Sequence, residues 1–466
     1  MASDPPAVSL TTLPTELTFH ILSFLSPIEY KAFSSTSKTC RKVCIPIIFR
    51  RVRLYPENIQ LWQNNPAICI AVRRVSFYPL HIKGQTELMD YWRICTNAVG
   101  LLFPNITDIK LLYPSSSYYL QQRDVDERNS LDDKLLQLDN RIFNAIFSTL
   151  STFPFYESQL RKLHIETNRF WSAGEQYPSN ISTENQEFLD STDRVMAAKG
   201  LDHIPFPHML QEAVLTAKLI CFTPPGHNLH NFIALQNCMK SLRSFSLLGT
   251  PDHSTKRFSR GNRPKDEYIK SPILWLNISD YIYPNVTTLC ISSRFLTNEY
   301  IYEFPVRFPS LQELRIHDPS AKVGLMITEN FEEVTQMLRA FKGLRRAVVP
   351  WPLEETNDLD WENPGWDPVP PVPIEKVRKT ARAWFADESL EALERIAFWM
   401  WDVVEKGTRC EAVISERRFG VDGGVHVRKV ICTDREELFP ILGKGWDPIC
   451  WVDHSKKLAR TGMVIG

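Results

Sequence analysis

Residues 13–49 read LPTELTFHILSFLSPIEYKAFSSTSKTCRKVCIPIIF, and their spacing predicts three short helices in one cluster. Thr12 precedes the first helix. Pro14 and Glu16 fall in its opening turn, where a missing N–H costs nothing and a carboxylate meets the positive helix end. Leu17, Ile21 and Leu25 recur at i, i+4 and i+8 with Leu22 and Phe24 beside them, so the apolar surface extends past one face. Ser26, Pro27 and Glu29 open a second helix with capping-box spacing, and Tyr30 and Phe33 anchor it. Ser37 opens a third, carrying Cys40, Val43 and Cys44, and Pro46 is expected to end it. A unit of about forty residues rarely holds a sufficient core by itself, so the apolar surplus predicts a partner.

The order of Leu13, Pro14, Glu16, Leu17, Ile21, Leu22, Leu25, Pro27, Phe33, Ser37, Cys40 and Arg41 resembles the F-box, with Cys40 where many members carry Trp. The continuation Ile45–Arg50 is similar to fungal F-box proteins in particular. The resemblance implies docking onto the Skp-type adaptor of a cullin-based ubiquitin ligase. Leu13, Pro14, Leu17, Ile21, Leu22, Leu25, Pro27, Phe33 and Cys40 would supply the contacts or the core behind them. It concerns only the N-terminal segment of a 466-residue chain.

Composition narrows the rest. Fifty-four basic residues balance 54 acidic ones, which argues against a polyanion-binding protein, and no nucleic-acid partner is expected. The start, MASDPPAVSL, has no signal-peptide pattern and no later run is long and apolar enough for a membrane span, so a soluble cytoplasmic or nuclear protein is expected. Ten cysteines without two-residue pairs suggest reduced thiols, not a disulfide scaffold or zinc ribbon. Asn-x-Ser/Thr triplets at Asn105, Asn180, Asn277 and Asn285 carry no meaning as glycosylation sites in such a chain.

Beyond the helices one phrase recurs: an aliphatic residue, two polar ones, a second apolar residue, a variable position and a third apolar residue. It reads at Val72-Val75-Phe77, Ile106-Ile109-Leu111, Leu160-Leu163-Ile165, Leu242-Phe245-Leu247, Val286-Leu289-Ile291, Leu311-Leu314-Ile316, Leu344-Ala347-Val349 and Leu393-Ile396-Phe398. Alternation at the end of each phrase marks a short half-buried strand. The phrase resembles the start of a leucine-rich repeat, although of the steps between phrases only the one from Leu289 to Leu314 has the usual length. The expected fold is therefore α/β: an N-terminal three-helix F-box, then an irregular leucine-rich-repeat-like solenoid with a curved parallel sheet and convex-side helices, closed by a C-terminal cap. The expected divisions are residues 10–52, 53–400 and 401–466, the last with a β-hairpin of Cys410–Glu416 and Val425–Cys432 around the glycines near Gly420–Gly424.

Between the phrases, a helix is expected through Leu135, Leu138, Ile142, Ile146 and Phe147, a polar irregular stretch over 166–200, and a return helix from Phe206 to Phe222 with Met209, Leu210, Val214 and Leu215 on its apolar face. Asp252–Lys270 reads as a basic solvated loop, residues 363–373 as a proline-stiffened connector, and Glu375–Phe385 as a helix. Residues flanking the second and third apolar positions point away from the core. They form the expected substrate face: Asp108, Lys110, Lys162, His164, Ser244, Ser246, Thr288, Cys290, Glu313, Arg315, Arg346, Val348, Arg395 and Ala397.

Catalytic patterns are absent: there is no glycine-rich phosphate loop, G-x-S-x-G elbow or H-E-x-x-H. Cys221, His227, His230 and Cys238 have metal-ligand chemistry but not zinc-site spacing, so no metal and no cofactor are expected. The two halves are joined by one reading, a non-catalytic substrate receptor of a Skp-cullin-F-box ubiquitin ligase with an unidentified protein substrate. A repeat scaffold without ligase function, or a metal-dependent enzyme, stays open as an alternative.

Overall fold

A computed structural model describes residues 13, 15–22, 24–25, 27–79, 85–114, 138, 141–168, 181–199, 206–216, 237–248, 282–292, 303–317, 331–351, 374–404, 407–417 and 425–432. The chain divides into two compact units, Met1–Leu210 and Gln211–Gly466. The first begins with helices α1 (Thr15–Leu22), α2 (Pro27–Thr36) and α3 (Lys38–Ile48). Ser37 caps α3 by accepting the Cys40 N–H at 3.0 Å. Pro46 does not end α3, contrary to expectation: the helix continues to Ile48. A proline in a final turn removes one backbone bond only, and the Phe49 N–H still reaches the Ile45 carbonyl at 3.0 Å.

Strands β1 (Arg51–Leu54), β2 (Arg74–Phe77), β3 (Asp108–Pro114) and β4 (Lys162–Asn168) then line up parallel in chain order. Val52, Leu54, Val75, Phe77, Ile109, Leu111, Leu163 and Ile165 form the buried face. Helix α4 (Gln85–Leu102) contributes buried Tyr91, Trp92, Cys95 and Val99 to the same core. Tyr91 is its polar anchor: the hydroxyl accepts the Tyr78 N–H at 2.6 Å and donates to the Leu54 carbonyl at 2.8 Å.

In the second unit β5 (Glu212–Thr216), β6 (Ser244–Leu248), β7 (Thr288–Ser292), β8 (Glu313–His317), β9 (Arg346–Pro350) and β10 (Arg395–Val404) are again parallel and sequential. β11 (Gly407–Arg417) and β12 (Val425–Cys432) follow antiparallel. β10 runs straight through position 400, where a domain boundary was expected.

The strands share an attachment device. Among the described residues, the carbonyl just before eight of the strands accepts two successive N–H groups of the next phrase. Arg50 takes Arg73 and Arg74, Arg73 takes Thr107 and Asp108, and Thr107 takes Arg161 and Lys162. In the second unit the accepting carbonyls are Gln211, Arg243, Thr287, Gln312 and Arg345. At two steps side chains reinforce it identically. Asn105 Nδ2 donates to the Ile70 carbonyl at 2.9 Å while Arg73 Nη1 donates to the Asn105 carbonyl at 3.2 Å. Asn285 and Arg243 repeat this, with Asn285 Nδ2 to the Lys240 carbonyl at 2.8 Å and Arg243 Nη1 to the Asn285 carbonyl at 3.5 Å. Two of the Asn-x-Thr triplets are thus turn-locking elements.

Two expectations fail here. The return helix from Phe206 is instead β5, with Leu210, Ala213 and Leu215 buried in the strand phrase. Leu210, Val214 and Leu215 also fit helical spacing, which concealed it, and Ala213 divides the 82-residue step from Leu163 to Phe245 into steps of 50 and 32. Part of the stretch expected to be irregular is α5 (Thr183–Lys199), whose narrow buried stripe is Asn185, Phe188, Leu189, Thr192 and Met196. Arg141, in the helical residues 141–151, braces it through Asp190 at 2.9 Å and Asp193 at 2.6 Å. Helices α6 (Phe331–Ala340) and α7 (Ile374–Ala386) belong to the second unit, and α7 buries Val377, Ala381 and Trp384.

Candidate functional site

Helix α1 divides its side chains sharply. Thr18 and Leu22 are buried, whereas Leu17, Ile21 and Phe24 are 51%, 41% and 76% exposed. Leu17 and Ile21 lie at i and i+4 on α1 and Phe24 in the turn just after it, three apolar groups turned to solvent. The His20 ring meets the Phe24 ring edge-on at 5.1 Å, which steadies the exposed phenyl just past the helix end. Leu13, Leu25 and Phe33 are half-buried beside these groups. Pro14 lies outside the described residues, as does the side chain of Pro27. Phe24 was not singled out as a contact by sequence reasoning. The available signal was a bulky aromatic residue beside Leu25 in a segment already rich in apolar residues.

Cys40, in the place of a family tryptophan, is buried with Cys44 and is not part of the exposed apolar surface. Its hydrogen bond with Ser37, then that with Thr36, lowers the thiol from its usual range. Burial, then the charge of Cys40, raises Cys44.

The expected substrate face differs between the two units. In the first, Arg74 and Asp108 pair at 3.2 Å across neighbouring strands, Lys162 is exposed, and Lys110 and His164 are half-buried. His164 is held well below the usual imidazole range by burial first, then by Lys110 and Arg74. In the second, Ser244, Thr288, Glu313 and Arg395 are half-buried and Arg346 is exposed. Ser246, Cys290, Arg315, Val348 and Ala397 are instead buried, which corrects the expectation of an open face there. That side of the unit also carries buried Val214 and Trp399, and parallel sheets commonly cover both faces. Arg315 is satisfied from its own strand, its guanidinium donating to the Glu313 carboxylate at 2.9 and 2.7 Å.

Of the metal candidates, Cys221, His227 and His230 lie outside the described residues, and Cys238 is a buried thiol pushed up to about 12 by desolvation. Among the described residues no group of three or more His, Cys, Asp or Glu could hold a metal ion, and no helix is long and apolar enough to cross a membrane. The basic loop Asp252–Lys270 and the connector 363–373 also lie outside the described residues.

Residues 10–50 match the F-box domain family. The chain therefore carries an F-box domain at its N-terminus, built from α1, α2 and α3. F-box domains in general bind Skp-type adaptors, and F-box proteins are typically non-catalytic receptor subunits. No curated protein matches the chain.

Proposed function

We propose that this protein is a substrate-recognition subunit of a Skp-cullin-F-box ubiquitin ligase, acting in the cytoplasm or nucleus. The observation that carries the reading is an F-box at residues 10–50 whose first helix and the turn after it leave Leu17, Ile21 and Phe24 uncovered. Covering three half- to largely exposed apolar groups would gain up to about 1.5 kcal/mol each, so this surface is suited to an adaptor groove. The sequential parallel strands act, in this reading, as a leucine-rich-repeat-like body that holds the substrate. The chemistry is proximity: holding a substrate lysine beside the charged ubiquitin carrier raises its effective concentration, and the reacting groups belong to other subunits.

Co-purification with the Skp-type adaptor tests this. Leu17→Asp and Phe24→Asp should each weaken capture by about tenfold or more, since a charge would be desolvated in the contact. Both side chains are exposed, so the melting temperature should stay within about 2 °C of the parent. Capture unchanged in both variants would refute the reading.

A further inference from the structure

Charge on the strand face is unevenly spread. In the first unit the register places Arg51, Arg53, Arg74, Lys110 and Lys162 on the side opposite the Val52, Val75, Ile109 and Leu163 core. The same register puts two carboxylates there, Asp108 and Glu166. In the second unit Glu212, Glu313 and Glu416 stand against Arg315, Arg346, Arg395 and Arg428, a smaller surplus. The chain as a whole has 54 charges of each sign, so the larger surplus is a local property of β1 to β4.

We propose that the strand face of the first unit binds an extended, carboxylate-rich segment of a partner protein. This deepens the receptor reading, on which it rests, by naming the chemistry of what is received. Neighbouring strands lie about 4.8 Å apart and same-face residues along a strand about 6.6 Å apart, so the cations form a lattice of separated single charges. Carboxylates on alternate residues of an extended peptide repeat at that same interval. A phosphoryl group would instead need several donors converging on one point. RNA would need an unbroken run of cations, and Asp108, held by Arg74 at 3.2 Å, interrupts the row. Arg51, Arg53 and Lys162 are exposed, and the Arg53 guanidinium is stacked 4.9 Å from the Tyr78 ring centroid, so part of the lattice is presented in a fixed orientation.

The test uses full-length protein and fluorescence anisotropy with a labelled peptide of about twelve residues alternating Glu and Ser, about 40 Å when extended. Controls carry Gln for Glu, or Gln alternating with phosphoserine, and a single-stranded RNA of similar length is a third. The Glu peptide should bind, and weaken by about tenfold between about 50 and 300 mM salt. Arg53→Gln combined with Lys162→Gln should weaken it by about tenfold, while Arg346→Gln combined with Arg395→Gln should leave it unchanged. The salt response of the unsubstituted protein reads the same point without any variant. Equal binding of the Gln peptide, indifference to the first-unit substitutions, or tighter binding of phosphopeptide or RNA would each overturn the proposal. An adaptor that fails to co-purify with the unsubstituted chain would remove the receptor reading and leave peptide binding standing. A silent peptide with intact adaptor capture would do the reverse.

Discussion

Trp399 illustrates how one side chain completes a backbone ladder. The β8–β9 register pairs Glu313 with Arg346 and Arg315 with Val348, and the Arg346 N–H bonds the Gln312 carbonyl at 3.0 Å. Two steps further the carbonyl of Ile316 would face the N–H of residue 350, and residue 350 is proline, which has none. The Trp399 indole N–H, from β10, donates to that carbonyl at 3.2 Å instead. Trp399→Phe should therefore cost about 1–3 kcal/mol beyond its packing loss, and part of this should return in a Trp399→Phe/Pro350→Ala double variant. Urea unfolding of the four members of the cycle decides it; strictly additive effects would show that the indole bond does not substitute for the missing donor. His164 makes a second residue-scale prediction. Its folded-state pKa is depressed by burial and by Lys110 and Arg74, so the unfolded chain takes up a proton near pH 6.5 that the folded chain refuses. Its contribution to stability is complete above about pH 6.5 and falls as the pH drops below it. His164→Gln should flatten the decline in urea midpoint between about pH 7 and pH 5, and an unchanged slope would contradict the assignment.

At the scale of elements, α4 is fitted to the Phe153–Pro154 turn by a missing side chain. A Cβ on Gly100 would land on the Phe153 ring, which itself stacks on Phe155 with centroids 6.0 Å apart. Gly→Ala inside a helix ordinarily gains about 1 kcal/mol, but here the ring must be displaced, and overpacking costs about 1–3 kcal/mol. Gly100→Ala is expected to lower the melting temperature, and Phe153→Ala in the same chain should reverse the sign of the glycine substitution. A Gly100→Ala protein that melts higher with Phe153 in place would refute this close packing. In the second unit α6 and the turn after α7 are tied by one ion pair: Arg339 Nε donates to Asp387 at 2.8 Å, and Asp387 also caps the Ser389 N–H at 2.9 Å. The hydrogen bond from Arg339 is the main reason the Asp387 carboxyl is held below its ordinary range.

Over the whole chain, legibility followed how local each cause was. Ser37 as a cap and Pro27 at a helix start were readable because those rules act within one turn. The strand phrases were readable even with alanine in the second place at Ala347, and β5 was missed because Leu210, Val214 and Leu215 also fit helical spacing. α5 was missed because its buried stripe is narrow and includes Thr192. Burial of Cys290, Val348 and Ala397 was not legible at all, since it depends on what lies over a sheet face and not on strand alternation. The Trp399 to Ile316 bond spans 83 residues and has no local trace. The paired N–H groups that these eight pre-strand carbonyls accept have one further consequence, for how such a chain can change over generations. Attachment of a strand depends on two donors and one acceptor and never on the distance travelled between them, which runs from 23 residues between Arg50 and Arg73 to 54 between Thr107 and Arg161. Connecting segments can therefore lengthen, shorten or be exchanged without disturbing strand register, leaving selection free to rewrite the connections while the strands stay the same.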